Sequence, residues 1–239
     1  MTKIAIVTGA ARGMGNGIAI RLIEEGYTVV AADVDKVGLD LLDEKVTRNA
    51  LIKKVGDIGD PQFIKQMVSE LDSSQIELLV NNAGVRWPTT VLDATDEEWE
   101  TTMRVNLTAP FYLTREVGNA WKAAGRGGLI INIASIAGLM GLNNRASYCA
   151  SKGGLIALTK AAAMDLAPAG IRVIAICPGF VNTSMTVENA QDYVRDYVPI
   201  GKSGKPNDIA QAVVDLMRWE IATGTIIPLD GGLTAGFRW

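Results

Sequence analysis

Residues 4–26 read IAIVTGAARGMGNGIAIRLIEEG, and this stretch decides the fold. Residues 4–9 are apolar without alternation, which is typical of a strand buried on both faces. Glycines follow at positions 9, 13 and 15, and residues 15–26 carry apolar side chains at helical spacing up to Gly26. A buried strand, a glycine-rich turn and a helix predict the first unit of a parallel α/β sheet.

The same alternation continues through the rest of the chain. Further strands are predicted at 28–33, 51–56, 76–84, 128–135, 171–179 and 224–232. Helices are predicted at 36–47, 60–72, 96–124, 147–167 and 207–219. We therefore expect one α/β domain over residues 1–239, with a doubly wound parallel sheet of about seven strands and helices on both faces. Residues 183–205 are the least regular part, and we interpret them as a substrate lid.

Composition excludes several classes of function. The 239 residues carry a net charge of −3, and no basic run favours nucleic acid. No apolar run approaches the roughly 20 residues of a membrane span, and the first strand begins too early for a signal peptide. Cys149 and Cys177 show no metal-ligand spacing, so we expect two reduced thiols in a cytoplasmic protein that binds no metal.

The glycine turn and Asp33 predict a dinucleotide site. Glycines at the carboxyl end of a strand let the backbone approach a pyrophosphate, and the helix N terminus supplies free N–H groups. Asp33 ends the second strand, where a carboxylate can bind an adenosine ribose. The alternatives are that the glycines form only a tight turn and that Asp33 caps the next helix.

Asp33 also favours NAD over NADP as the cofactor. A 2′-phosphate about 4 Å from this carboxylate would cost roughly 4 kcal/mol at an effective dielectric constant of about 20. Arg12 acts in the opposite direction, because a basic residue in the glycine turn can contact a 2′-phosphate. We regard Asp33 as the more direct effect and expect NAD.

Six motifs in order make the chain resemble the short-chain dehydrogenase/reductase family, within the group of 3-oxoacyl carrier protein reductases and small secondary-alcohol dehydrogenases. They are TGAARGMG (8–15), NNAG (81–84), Asn106, Ser135, Tyr148-x-x-x-Lys152 and PG (178–179). The resemblance covers nearly the whole chain and implies a Rossmann fold, a nicotinamide cofactor, an alcohol or ketone substrate and a homotetramer. One departure is Ile174, where the family usually carries Asn, and we expect altered hydrogen bonding there.

The resemblance assigns roles to single positions. Ser135 and Tyr148 would meet the substrate oxygen. Lys152 would hold the nicotinamide ribose, and Asn106 would support a water beside it. The implied cofactor-binding residues are Gly9, Arg12, Gly13, Met14 and Gly15 at the pyrophosphate turn, Asp33 and Val34 at the adenosine ribose, Asp57 and Ile58 at the adenine, Asn81, Asn82, Ala83 and Gly84 beside the ribose, Tyr148 and Lys152, and Pro178, Gly179, Val181 and Thr183 around the nicotinamide.

The residues themselves support proton transfer by Tyr148. The chain has no histidine, so another group must exchange the proton. Lys152 follows four residues later, which puts both side chains on one helix face. Its charge, together with that of the oxidised nicotinamide, could lower the phenol pKa from about 10 toward neutrality. The alternative is a core tyrosine beside a solvated lysine.

Ser135 closes its strand at the same edge and is expected to donate to the substrate oxygen, the alternative being a helix cap. The pocket is expected to draw on residues after NNAG, between Ser135 and Tyr148, and in the lid: Arg86, Trp87, Leu139, Met140, Leu142, Asn143, Asn144, Met185 and residues 187–197. Arg86 or Arg145 could bind a carboxylate or phosphate, or be a solvated surface charge.

Other readings stay open. A 3-oxoacyl thioester reductase is one alternative. A non-redox dehydratase or epimerase is another, although such relatives usually carry a further substrate domain. A third is a binding protein that keeps the fold without catalysis, which the presence of Ser135, Tyr148 and Lys152 disfavours. We further expect Phe237, Arg238 and Trp239 to pack against a neighbouring subunit.

Overall fold

We describe the chain from a computed structural model over residues 2–47, 49–183 and 190–236, with residues 190 and 191 described by their backbone alone. Over these residues, seven strands form one sheet in the order β3-β2-β1-β4-β5-β6-β7. They are β1 Lys3–Thr8, β2 Tyr27–Asp33, β3 Leu51–Val55, β4 Ile76–Asn81, β5 Gly128–Ile133, β6 Ile171–Pro178 and β7 Ile226–Leu229. Every neighbouring pair is parallel, which confirms the predicted sheet.

The α-helices of the described residues cover both faces of the sheet. They are α1 Gly13–Glu24, α2 Lys36–Asp43, α3 Pro61–Ser69, α4 Asp96–Met103, α5 Ala109–Ala123, α6 Ala146–Leu166, α7 Ala190–Tyr197 and α8 Pro206–Met217. One apolar cluster packs α1, α2 and α8 on one face, and a second packs α3, α5 and α6 on the other. The helices and sheet form the predicted doubly wound Rossmann architecture.

Local sequence explains where several helices begin. Asp60 caps α3 by accepting a hydrogen bond from the Gln62 N–H at 2.8 Å, and Pro61 occupies the first helical position. Thr95 caps α4 in a reciprocal capping box with Glu98. By contrast, no side chain caps α1, which follows Arg12. The N–H groups at the start of α1 therefore remain available to a ligand.

The predicted helix at 96–124 is interrupted by one π-helical turn, Arg104–Thr108. A π turn holds one residue more than an α-helical turn, so it shifts the helix faces relative to each other. Asn106 lies in this turn and is fully buried. The π turn therefore determines where Asn106, a predicted site residue, lies.

Two predicted regions differ from the observed structure. The fourth strand ends at Asn81 rather than at 84, because the next residues leave the sheet toward the glycine turn. Within the predicted lid, α7 spans Ala190–Tyr197, while Met185 and residues 184–189 lie outside the described residues. The predicted contact of Phe237, Arg238 and Trp239 also lies outside them. Among the described helices, none is both long and apolar enough to cross a membrane.

The sheet order places the site. Strands β1 and β4 are neighbours, and the chain leaves them toward opposite sides of the sheet. In an open α/β sheet this switch point leaves a crevice at the carboxyl ends of the strands, where ligands bind. The glycine turn follows β1, and the NNAG segment follows β4. Both therefore border this crevice.

Candidate active site

The glycine turn packs against the NNAG segment so closely that side chains are excluded. A Cβ on Gly9 would lie 2.7 Å from the Cα of Ala83, and Gly9 has φ +63°. A Cβ on Gly15 would lie 2.1 Å from the carbonyl oxygen of Gly9. Packing within the turn therefore requires glycine at position 15. Gly13, with φ +58°, faces Thr183, whose methyl carbon would be 3.6 Å from an added Cβ.

Asp33 does not cap α2, because that role belongs to Asp35. Asp35 accepts a hydrogen bond from the Gly38 N–H at 3.0 Å. Asp33 Oδ2 instead accepts from the Ala11 N–H in the glycine turn, and Oδ1 accepts from the Asp35 N–H, both at 3.0 Å. A carboxylate has capacity for further donors such as ribose hydroxyls. Arg12 and Val34 are exposed nearby in sequence.

These features fit a dinucleotide. The α1 N terminus has no side-chain cap and no acidic residue in its first turn. Such a terminus favours an anion, because free N–H groups and the positive end of the helix dipole face it. Asp33 is fixed against the same turn by the Ala11 N–H. The residues predicted from sequence for the pyrophosphate and for the ribose therefore lie next to each other.

Asn81 and Asn82 have different surroundings. Asn82 Nδ2 donates to the carbonyl oxygens of Thr8 at 2.9 Å and Gly9 at 3.1 Å, which ties the NNAG segment to the glycine turn. Asn81 is buried, and its Nδ2 donates to Asn132 Oδ1 at 2.8 Å. Asn132 in turn donates to Thr159 on α6 at 2.9 Å. The side chain of Asn81 thus joins the sheet to α6 through Asn132.

Asn106 holds the backbone that follows NNAG. Its Oδ1 accepts from the Val85 N–H at 2.8 Å, and its Nδ2 donates to the Val85 carbonyl oxygen at 2.9 Å and to Ser151 Oγ at 3.1 Å. Both amide hydrogens of the side chain are therefore used within the protein. The side chain acts as a brace between Val85 and α6, and any support for a water comes from its remaining acceptor capacity or its backbone.

Lys152 is 3% exposed and lies beneath the candidate site. Its Nζ donates to the carbonyl oxygen of Ile133, at the end of β5, at 2.7 Å. A Cβ on Gly84 would lie 3.6 Å from this Nζ, so the NNAG segment passes close to the ammonium group. Burial lowers the pKa of Lys152 to about 8, partly opposed by the neighbouring Cys177. The two other ammonium hydrogens remain available to a ligand.

Ser135 and Tyr148 meet at the carboxyl end of β5. The Ser135 hydroxyl accepts from the Ala137 N–H at 3.1 Å, so it also caps a short 3₁₀ turn, Ile136–Gly138. Burial raises the pKa of Tyr148 above its usual value, and this outweighs lowering by a hydrogen bond with Ser135 and by the charges of Arg86 and Arg145. The protein groups around Tyr148 therefore favour the protonated phenol, whereas the expected lowering of its pKa also counts the charge of an oxidised nicotinamide.

One cavity joins most of these groups. It has a volume of about 120 Å³, and its lining is Met14, Arg86, Ala134, Ser135, Ile136, Leu142, Arg145, Tyr148, Pro178, Gly179, Phe180, Val181 and Thr183. The residues expected around the nicotinamide thus share a cavity with Ser135 and Tyr148. Of the expected pocket residues, Arg86 and Leu142 line it. Over the described residues its lining does not include Trp87, Leu139, Met140, Asn143 or Asn144.

The expected adenine end lies apart from this cavity. Burial alone would raise the pKa of Asp57, but hydrogen bonds from Arg104 at 2.7 Å and from the Gly59 N–H lower it. Ile58 is buried in the apolar cluster on the α3–α5 face. Ile174, the departure from the family pattern, is fully buried in the opposite apolar cluster, which needs no hydrogen bond there.

Sequence reasoning missed two contributors, Thr8 and Phe180. Thr8 Oγ1 accepts from the N–H groups of Asn82 and Ala83, both at 3.1 Å. Phe180 lines the cavity and packs on Tyr193 at a ring-centroid distance of 4.7 Å. Thr8 had a detectable signal in the sequence, because a threonine at the end of β1, directly before the glycine turn, can face the neighbouring strand. Phe180 follows the PG motif and carried no comparable signal.

Comparisons with known proteins agree with this geometry. Residues 3–194 match the family model described as short chain dehydrogenase. A 3-oxoacyl-acyl-carrier-protein reductase FabG from Thermotoga maritima is 35% identical over 242 residues, covering 97% of each chain. A trans-4-hydroxycyclohexanecarboxylate dehydrogenase from Sinomonas cyclohexanicum is 37% identical over 248 residues, covering 98% of this chain and 93% of the relative.

A solved structure also resembles the chain over nearly its full length. It is a short-chain type dehydrogenase/reductase from Mycobacterium marinum, with a TM-score of 0.91 and 29% sequence identity. The match covers 98% of this chain and 96% of that one.

Proposed function

The chain belongs to the short-chain dehydrogenase family, and on that premise we propose that it is an NAD(H)-dependent oxidoreductase acting on a small secondary alcohol or the corresponding ketone. The observation that carries the proposal is the shared cavity, in which Ser135 and Tyr148 face the residues expected around a nicotinamide. The cofactor would supply or accept the hydride when bound. The remaining chemistry is a proton exchanged at the substrate oxygen.

Tyr148 is proposed to exchange that proton. Its raised pKa keeps the phenol protonated before ligands bind, which suits donation to the oxygen of a ketone. For oxidation of an alcohol the phenolate is required, and positive charge near the phenol favours it. Arg86 and Arg145 already act in this direction. Ser135 is proposed to donate a hydrogen bond to the same oxygen and so stabilise developing negative charge.

Lys152 and Asn106 are proposed to hold the cofactor and the substrate in position. Lys152 has two free ammonium hydrogens for a ribose hydroxyl, while its third is bound to Ile133. Asn106 fixes Val85 on both its N–H and its carbonyl group. The end of the NNAG segment is thereby held next to the Lys152 ammonium. We assign both residues to placing cofactor and substrate.

NAD is the proposed cofactor because Asp33 is fixed at the end of β2. Its carboxylate is anchored to the glycine turn through the Ala11 N–H, so a 2′-phosphate would meet a charge that cannot easily move away. Arg12 is exposed and could swing toward a 2′-phosphate, yet Asp33 would still face it. The proposal is tested by comparing NAD(H) with NADP(H) across small secondary alcohols, polyols and 3-oxoacyl thioesters. Turnover with none of these would overturn it.

A second candidate is reduction of 3-oxoacyl thioesters. It is favoured by relatives named 3-oxoacyl-acyl-carrier-protein reductase that are 35% identical over almost the whole chain. A relative named for a hydroxycyclohexanecarboxylate is 37% identical and favours a small hydroxy acid instead. We place the small alcohol first because the cavity lining mixes charged and hydroxyl side chains with apolar ones, which suits a small, moderately polar substrate. The same screen separates the two candidates.

We further propose a homotetramer that forms through α5 and α6. A groove of about 940 Å³ runs between these helices, and Phe111 lines it while 45% exposed. Met164 on α6 is 79% exposed. Exposed apolar side chains beside a groove are typical of a surface that another subunit covers. Analytical ultracentrifugation of the protein and of Phe111→Asp tests this, because the variant should shift toward smaller species. A monomeric parent protein would overturn it.

A further inference from the structure

Two arginines, Arg86 and Arg145, line the cavity that contains Ser135 and Tyr148, and among residues 2–47, 49–183 and 190–236 no carboxylate lines it. Within the described part of the chain, no Asp or Glu side chain forms an ion pair with either arginine. Arg145 donates one hydrogen bond from Nη1 to the carbonyl oxygen of Asn144 at 2.7 Å. Most guanidinium hydrogens of the pair therefore face the cavity or solvent without an acidic partner.

The two charges act on each other and on the phenol. Burial is the largest cause that lowers the pKa of Arg86, and the charge of Arg145 adds to it. Both arginines lower the pKa of Tyr148, against the larger effect of burial. Like charges at one small, partly buried cavity repel each other, and an anion between them would remove that cost.

The backbone positions of both arginines are defined by neighbouring elements. Arg86 follows Val85, whose N–H and carbonyl oxygen are both bonded to Asn106. Arg145 is the N-cap residue of α6, a helix of 21 residues with no side-chain cap. The positive end of the α6 dipole therefore adds to the two guanidinium charges. An anion entering here would meet two guanidinium groups and the positive end of a helix dipole.

We propose that Arg86 and Arg145 bind a carboxylate carried by the substrate, so that the enzyme acts on a small hydroxy acid or oxo acid. This inference rests on the proposed function. Guanidinium groups bind carboxylates through paired, charge-assisted hydrogen bonds. A phosphodiester of a carrier-linked thioester is the other oxyanion source. It is disfavoured because the whole pantetheine arm separates that phosphate from the reacting acyl group, whereas the arginines share one small cavity with Tyr148.

Kinetics on a matched substrate pair test the carboxylate. The pair is trans-4-hydroxycyclohexanecarboxylate and its uncharged methyl ester, each oxidised with NAD. We expect Arg86→Gln and Arg145→Gln each to lower the acid-to-ester ratio of kcat/KM by about tenfold to a hundredfold. The ratio is the measurement because both arginines also act on Tyr148. Arg218→Leu, at the exposed end of α8, should leave the ratio unchanged.

A binding measurement separates this inference from the proposed function. Cyclohexanecarboxylate, which has no hydroxyl to oxidise, should bind the protein in a calorimetric titration, and its uncharged amide should not. Binding that is lost in both Gln variants supports the arginine site even if no alcohol is turned over. If alcohols are oxidised but the acid-to-ester ratio is the same in all variants, the carboxylate site is wrong and the proposed function stands.

Two further outcomes remain decisive. If the Gln variants lose activity on a 3-oxoacyl thioester of coenzyme A while the acid-to-ester ratio is unchanged, the arginines bind a phosphate and the inference is overturned. If Arg86→Gln does not fold, Arg86→Lys keeps the charge but loses the paired hydrogen-bond geometry. It should lower the same ratio by a smaller factor, and an unchanged ratio contradicts the inference.

Discussion

The ammonium nitrogen of Lys152 lies 5.8 Å from the centre of the Tyr148 ring and is hydrogen-bonded to the carbonyl oxygen of Ile133. The lysine is therefore held beneath the phenol ring by the end of β5. Burial is the largest influence on the pKa of the Tyr148 phenol, and it raises this pKa. Ionisation of the phenol therefore requires more positive charge than Arg86 and Arg145 supply.

Tyr148→Phe should remove turnover and leave dinucleotide binding nearly intact. The substitution deletes only the hydroxyl, so the ring can keep its place while the proton-transfer group is lost. We expect kcat to fall by about a hundredfold to ten-thousandfold. Steady-state turnover and a fluorescence titration with NADH measure the two effects.

Tyr27→Phe is the matched control, because the Tyr27 hydroxyl donates to Glu77 at 2.8 Å near the start of β2, away from the cavity. It should keep its turnover. Near-normal turnover by Tyr148→Phe would show that another group exchanges the proton.

Lys152→Met should make the ligand-free protein more stable at neutral pH, and the gain should shrink as pH rises. The folded-state pKa of Lys152 is about 8, against 10.5 for the ordinary side chain. Below pH 8 the folded protein therefore bears a buried charge that costs up to about 3 kcal/mol. Between pH 8 and 10.5 only the unfolded chain keeps the proton, so the stability of the parent protein rises relative to the variant.

Urea unfolding of both proteins at several pH values from 7 to about 10 measures the difference. Taking the difference between the two proteins cancels titrations that they share. A stability difference that stays constant over this range would mean that Lys152 is not depressed in the folded state.

Asp33→Ser should relax the preference for NAD. Removing a charge that faces a 2′-phosphate removes roughly 4 kcal/mol of discrimination at about 4 Å, equivalent to nearly a thousandfold. We expect the ratio of kcat/KM for NAD to that for NADP to fall by a hundredfold or more. Asp60→Ala serves as the control, since Asp60 caps α3 and contacts no part of the glycine turn. An unchanged ratio in Asp33→Ser would refute the cofactor assignment.

Gly15→Ala should destabilise the protein although alanine favours helices. The new Cβ would lie 2.1 Å from the carbonyl oxygen of Gly9, so the glycine turn must shift. We expect a loss of about 1–3 kcal/mol in the free energy of unfolding, together with weaker NADH binding. Gly153→Ala on α6 meets only the Gly138 oxygen, at 3.9 Å, and should be neutral or stabilising. Equal unfolding midpoints for the two variants would contradict the packing argument.

The sequence was sufficient for the sheet and for the position of most candidate site residues. Apolar runs predicted most strands, and the motifs after β1, β4, β5 and β6 fell at the carboxyl ends of these strands as expected. The sequence could not show that Asn81 and Asn82 have different hydrogen-bond partners. Successive side chains at a strand end point in opposite directions, and only the packed structure shows that Asn81 faces Asn132 while Asn82 faces the glycine turn.

The pKa of Tyr148 was predicted less well than the positions of the candidate site residues. The arithmetic for Tyr148 counted the charge of Lys152 but had no measure of how deeply the phenol is buried. Likewise, Arg86 and Arg145 are far apart in sequence, and their shared cavity becomes visible only when the chain folds. Burial and long-range proximity are three-dimensional properties, so a pattern along the chain carries little information about them.

The π turn at Arg104–Thr108 fixes the number of residues that this part of the chain must contain. Each residue of an α-helix advances the chain by about 100° around the axis. Deletion of one residue from this turn would rotate one part of the helix relative to the other by about 100°. Asn106 would then no longer face Val85. Natural variation between the capping box at Thr95 and the start of α5 should therefore consist of substitutions, with insertions and deletions selected against.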